Sequence, residues 1–94
     1  MPKNTDVLKK IEEYASLFMT PVDIARLIKH DKKIFFKLIS DENSDFSKAY
    51  YKGKLESMVE LRKTTLRMAK HGSPAAEETM IKYLQKQHNA ESDL

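Results

Sequence analysis

The chain has 94 residues, a third of them charged, a formal net charge of +3 and no cysteine. That length holds one domain, or a small domain with an extension, and buries only ~60–65% of its unfolded surface, so its core is marginal without help. The lack of cysteine excludes disulfides and thiolate metal sites. No apolar run approaches the ~20 residues of a membrane span.

The pattern is helical almost throughout, with only two glycines, three prolines and no strand-like alternation. A first helix is predicted from about Thr5 to Phe18, capped by Asn4 or Thr5. Leu8, Ile11, Ala15 and Phe18 form its inward stripe, widened by Tyr14. A second helix starts at Pro21 behind an N-cap at Thr20, with Asp23 placed for a capping box. Ile24, Ala25 and Ile28 face inward. A third begins at Asp31, whose carboxylate can accept the free N–H of Lys33 or Ile34, and runs to about Ser40 with Phe35, Leu38 and Ile39 as its apolar residues. Asp41–Ser44 is the linker.

A long helix follows from about Ser44 to Lys70, with Tyr51, Leu55, Met58, Val59, Leu66 and Ala69 on one face and Leu61, Thr65 and Met68 beside it. Gly53 inside it costs ~1 kcal/mol relative to alanine and implies close packing or a bend. His71-Gly72-Ser73-Pro74 punctuates the chain: Gly72 suits the C′ position, Ser73 the N-cap and Pro74 the N1 of a last helix. That helix is expected to reach about His88, with Ala76, Met80, Tyr83, Leu84 and Gln87 on one side. So short a connection turns the two last helices into an antiparallel hairpin. The expected architecture is all-α: a three-helix helix-turn-helix unit over 1–41, a helical hairpin for oligomerisation over 44–88, and a flexible tail over 89–94.

Charge is unevenly spread. Arg26, Lys29, Lys32, Lys33 and Lys37 face only Asp31, and Lys48, Lys52, Lys54, Arg62, Lys63, Arg67 and Lys70 face only Glu56 and Glu60. The segment from Glu77 to Leu94 is neutral to acidic. A basic middle of this kind suits a phosphate-facing surface, although a solvated charged exterior has the same composition.

The segment Met19–Asp41, MTPVDIARLIKHDKKIFFKLISD, has the spacing of a helix-turn-helix, in which one helix braces and the second enters a DNA groove. Ile24, Ala25, Ile28, Phe35 and Leu38 satisfy its inward positions, with Ala25 at the closest approach. Lys32, Lys33, Phe36, Lys37 and Ser40 fall on the outward side of the second helix, and Lys29 lies in the turn before it. These are the candidate DNA-contacting residues. The lysines can neutralise phosphates or reach guanine O6 and N7. Phe36 either meets a thymine methyl or sugar or packs on the long helix. Lys29 holds the turn position that usually takes glycine, so it either accepts a left-handed conformation at ~1 kcal/mol or encloses a slightly different turn. His30 fills a usually apolar turn position and reads as a partly buried histidine.

Catalytic readings are weak. Asp41, Glu42 and Asp45 cluster beside a helix start, where acids cap. Glu12–Glu13 and Glu77–Glu78 are adjacent pairs pointing to different sides of a helix. No glycine-rich phosphate loop is present, which excludes an ATPase of that kind. No catalytic residue, metal or cofactor is expected. The hairpin's apolar residues lie on more than one face, so either the N-terminal unit folds back on them or another subunit covers them. Self-association is the expectation, through Tyr51, Leu55, Met58, Val59, Leu66, Met80, Tyr83 and Leu84.

With these residues laid out, the chain resembles the small terminase subunits of tailed phages and prophages. The likeness runs from about Ala15 to Gln87. It rests on the Met19–Asp41 segment, on AYYKGKLESMVELRKTTLRMAKHGSPAA and on MIKYLQK, with Ala49–Lys54 and the Ala69–Pro74 turn as its most specific parts. The resemblance implies a DNA-binding protein that recognises packaging-initiation DNA, assembles as a ring or smaller oligomer, and hands the DNA to a large terminase ATPase–nuclease. It implies duplex DNA contacts at Lys32, Lys33, Phe36 and Lys37, subunit contacts along Leu55–Leu84, and the cytoplasm of a bacterial host as the place of action. The hairpin closes near the end of the sequence, leaving little room for a separate docking segment. A small transcriptional or mobile-element regulator acting as a dimer, and a helical assembly protein without DNA binding, are the alternatives.

Overall fold

A computed structural model describes residues 4–94 and the side chains from Thr5 onwards. They form five helices and, among the described residues, no strand: α1 Asn4–Ser16, α2 Pro21–Leu27, α3 Lys32–Ser40, α4 Asp45–Lys70 and α5 Pro74–Glu91. No helix among the described residues is long and apolar enough to cross a membrane. Packing divides the chain into a first unit through Met58 and a second from Val59 to Leu94, a boundary that falls inside α4 rather than at the Asp41–Ser44 linker.

Three helix ends close in the same way. The α1 end has Phe18 N–H bonded to the Ala15 carbonyl at 3.0 Å and Met19 N–H to the Tyr14 carbonyl at 3.2 Å. After α2, Lys29 N–H bonds Arg26 at 3.3 Å and His30 N–H bonds Ala25 at 2.9 Å. After α4, Gly72 N–H bonds Ala69 at 3.0 Å and Ser73 N–H bonds Met68 at 3.1 Å. Each pair is a Schellman closure, which needs a left-handed residue at C′. Those residues are Phe18 at φ 61°, Lys29 at φ 56° and Gly72 at φ 90°.

The first closure corrects the expected span of α1. The helix stops at Ser16, and Phe18, expected on the inward stripe, is turned out and half exposed. Asn4 and Thr5, expected as caps, are already helical. The other starts follow the sequence. Thr20 accepts from Asp23 N–H at 3.3 Å, Asp31 from Ile34 N–H at 2.9 Å and Ser73 from Ala76 N–H at 3.3 Å. Ser44 caps α4 by accepting from Ser47 N–H at 3.0 Å, and its hydroxyl also donates to the Leu38 carbonyl, tying the end of α3 to the start of α4.

The first unit owns the core. Ile11 and Ala15 of α1, Ile24 and Ala25 of α2, Phe35 and Ile39 of α3, and Tyr50 of α4 are buried together, with Val7, Tyr14, Met19, Ile28, Phe46 and Ala49 packed around them. Phe35, Ile11 and Ile24 are its largest fully buried side chains, each contributing roughly 1.5–3 kcal/mol on burial. In this half of α4 the buried positions are Ser47, Tyr50 and Gly53, whereas Tyr51 and Leu55 are exposed. Gly53 is where α4 crosses α1: a Cβ on it would stand 2.0 Å from the Glu12 carbonyl oxygen. The Lys52 ammonium meets the Glu12 carboxylate at 3.2 Å beside that crossing.

In the second unit, α5 extends through Glu91, past the expected end at His88. No glycine or proline intervenes, and His88 Nδ1 lies 3.5 Å from the Glu91 carboxylate. Residues 89–91, expected in a tail, are therefore helical. Ala76 is the one buried residue of this unit. Arg62 of α4 and Tyr83 of α5 meet across the seam, with the guanidinium carbon 4.3 Å from the ring centre.

Candidate nucleic-acid interface

The segment α2–turn–α3 is assembled from local chemistry. Pro21 pre-sets the first turn of α2 behind the Thr20 cap, and Ile24 and Ala25 drop from its inner side into the core. Ala25 is 2% exposed, so the small residue expected at the closest approach is sealed there. Ile28 and Lys29 then reverse the chain. Lys29 takes the left-handed conformation, the first of its two expected possibilities, and its side chain is exposed.

His30 anchors the turn. Its ring is half buried, 5.8 Å from the Phe35 ring and 5.5 Å from the Phe46 ring, while Phe35 and Phe46 lie 5.9 Å apart. Its Nδ1 sits 3.0 Å from the Asp31 carbonyl. This three-ring cluster locks the turn and the start of α3 onto α4, so the angle at which α3 is held does not depend on a flexible link.

α3 is sharply two-sided. Phe35 and Ile39 are buried and Leu38 is half buried, whereas Lys32, Lys33, Phe36, Lys37 and Ser40 are all exposed. Among the described residues, Lys29, Lys32, Lys33 and Lys37 engage no carboxylate; the ion pairs formed lie at Lys52–Glu12, Lys63–Glu60, Lys82–Glu78 and His88–Glu91. Asp31, the nearest acid in sequence, turns its carboxylate to the Ile34 N–H. Four ammonium groups thus reach solvent from one helix and the turn preceding it. Ile34, which the inward–outward reading passed over, is also exposed, as is Leu27 of α2. The signal for Ile34 was its place next to Phe35: one residue away on a helix is a different face.

The residues expected to mediate self-association are placed as follows. Tyr51, Leu55, Val59, Leu66 and Leu84 are exposed, and Met58, Met80 and Tyr83 are half buried. Leu61, Met68 and Ile81 are exposed as well. The cation–π contact of Arg62 on Tyr83 was not foreseen; an arginine one turn from Val59 and Leu66 was its only sequence trace. Lys54 stands 5.7 Å from the Tyr51 ring centre. Tyr50 packs edge-on against Tyr51 with ring centres 5.1 Å apart, and burial first, then the neighbouring Tyr51, pushes the Tyr50 phenol above its ordinary value.

The acidic linker serves as a turn. Asp41 accepts from Asn43 N–H at 3.1 Å through its side chain and from Ser44 N–H at 2.9 Å through its carbonyl. Among the described residues, no three His, Cys, Asp or Glu side chains converge as metal ligands would. No family model, curated protein or solved structure matches this chain.

Proposed function

We propose that this protein binds duplex DNA without catalysing a reaction on it, with α2–turn–α3 acting as a helix-turn-helix and the unit from Val59 onwards serving for self-assembly. The observation that carries the reading is the two-sided α3. Its apolar side is fixed in the core by Phe35 and Ile39, its far side offers Lys33, Lys37 and Ser40 to solvent, and Lys32 and Phe36 are exposed on the flank between. A helix entering the major groove needs that division: rigid anchoring behind, phosphate and base-edge donors in front. Lys29 adds a cation at the entry to the helix.

Self-assembly is supported by how little the second unit buries. Two helices joined by a short turn and sealing only Ala76 lack the apolar burial that independent stability demands. Leu61, Leu66, Met68, Ile81 and Leu84 stay wet in a single chain, and further copies in a helical bundle would cover them. Together the two elements match the division of labour in small terminase subunits, and a packaging role in a host cytoplasm alongside a large terminase ATPase–nuclease is the proposed setting.

A salt titration of binding to a random-sequence duplex, read by fluorescence anisotropy, tests the proposal. If Lys29, Lys32, Lys33 and Lys37 reach phosphates, log K should fall with log[salt] at a slope of about −3 to −4 per bound subunit. Absence of binding at low salt refutes DNA recognition. Native mass spectrometry decides the setting: a ring of many subunits favours packaging, and a strict dimer favours an operator-binding regulator.

A further inference from the structure

The outward side of α3 carries two large apolar side chains that phosphate neutralisation leaves unused. Ile34 is 54% exposed and Phe36 41% exposed, while Phe35 between them is fully buried. At 3.6 residues per turn, Lys33 and Lys37 share the arc opposite Phe35 and Ile39, and Ile34 and Phe36 border that arc on either side. Apolar groups flanking free ammonium groups fit a partner that is itself polyanionic outside and apolar at chosen points within. Resting on the reading of α3 as a groove-inserted helix, we infer that Ile34 and Phe36 read the 5-methyl groups of thymine, so that the preferred duplex presents thymines to α3.

The edges of the base pairs narrow the choice. In the major groove adenine is read by the amide side chains, cytosine by carboxylates, guanine by arginine or lysine, and thymine through its methyl by apolar side chains. The outward residues Lys32, Lys33, Ile34, Phe36, Lys37 and Ser40 include no amide and no carboxylate. Adenine and cytosine therefore lack a dedicated partner on this helix, Ser40 bonding either without preference. Lysines serve guanine or phosphate, which leaves the thymine methyl as the complement of Ile34 and Phe36. An apolar protein surface docking on the same arc would bury the lysine ammonium groups without partners, a large penalty. Charge complementarity thus favours DNA.

The probe pair is alternating poly(dA-dT) and poly(dA-dU) duplexes of equal length, which differ only in the 5-methyl group. One methyl removed from water changes affinity by roughly fourfold. At matched low salt, the wild-type protein should therefore bind the thymine duplex about four- to fifteenfold more tightly than the uracil duplex. The Ile34→Ala/Phe36→Ala double variant should bind both alike, near the wild-type uracil value. Neither side chain belongs to the buried core or to the residues packed on it, so the variant keeps the wild-type far-ultraviolet circular dichroism, and the wild-type comparison stands without it. Equal wild-type affinities for the two duplexes overturn this inference while leaving DNA binding in place. A folded variant that still discriminates assigns the effect to duplex shape and overturns it too. Binding to neither duplex removes the underlying DNA reading, and the inference with it.

Discussion

Gly53→Ala sets two effects of known size against each other. In a solvent-exposed helix interior the change would stabilise by about 1 kcal/mol, because alanine loses less backbone freedom on folding. At this position the added Cβ would stand 2.0 Å from the Glu12 carbonyl oxygen and 2.9 Å from its carbon, whereas ordinary contact begins near 3.4 Å. The obstacle is backbone, so no rotamer change relieves it, and α1 and α4 must separate by more than an ångström. A radial gap of about 0.5–1 Å already forfeits a quarter to a half of each dispersion contact, and Ile11, Ala15 and Tyr50 pack in the same core. Overpacking of this kind costs about 1–3 kcal/mol or more, which outweighs the propensity gain. A backbone clash this deep sits at the upper end of that range, so net destabilisation of about 2 kcal/mol or more follows, and for a domain of this size each kcal/mol lowers Tm by about 4–8 °C. Thermal unfolding followed by circular dichroism at 222 nm measures it. A Gly53→Ala protein as stable as wild type, or more stable, would mean that the α1–α4 crossing is wrong.

Gly72→Ala should also destabilise, by about 1 kcal/mol, but for a different reason: nothing lies within 4 Å of its Cβ, and the penalty comes from φ 90°. Urea denaturation should show this smaller loss. The Lys32→Ala/Lys33→Ala double variant should weaken binding to every duplex, reduce the steepness of the salt dependence by about 2, and leave the oligomer mass unchanged; unaltered affinity would place the binding surface elsewhere. Leu66→Asp with Leu84→Asp puts carboxylates on exposed apolar positions of the second unit, and should lower the mass seen in light scattering towards the single chain without unfolding Met19–Asp41. For Tyr50 the sign follows from its raised phenol: the folded state holds that proton more tightly. Stability is therefore full below the ordinary tyrosine range near 10 and falls as pH rises through the higher folded value. Tyr50→Phe should flatten this alkaline decline in chemical denaturation, and an unchanged decline would count against the burial of Tyr50.

What was legible in the sequence was set by strong local chemistry. Thr20-Pro21, Asp31 and Ser73-Pro74 each carry an N-cap acceptor whose bond forms within three residues, so their helix starts needed no tertiary knowledge. The left-handed Lys29 was legible as one of two possibilities, because the standard turn places that conformation there whichever residue is present. Phe18 was not: a helical stripe extends smoothly through it, and only the closure of Met19 onto Tyr14 turns it out. The same limit misdirected the reading of α4. Its exposed Tyr51, Leu55, Val59 and Leu66 give a clear apolar stripe, while of the positions that pack, Ser47, Tyr50 and Gly53, two are small and give no hydrophobic signal and Tyr50 stands off that stripe. Close backbone approach selects small residues, so the α1–α4 crossing was signalled by Gly53 itself and not by hydrophobic periodicity. The corollary bears on function. A stripe of large apolar residues that the chain does not use in its own core has to be explained by something outside that core, and in the second unit, where only Ala76 is sealed, further copies of the same chain are the simplest cover.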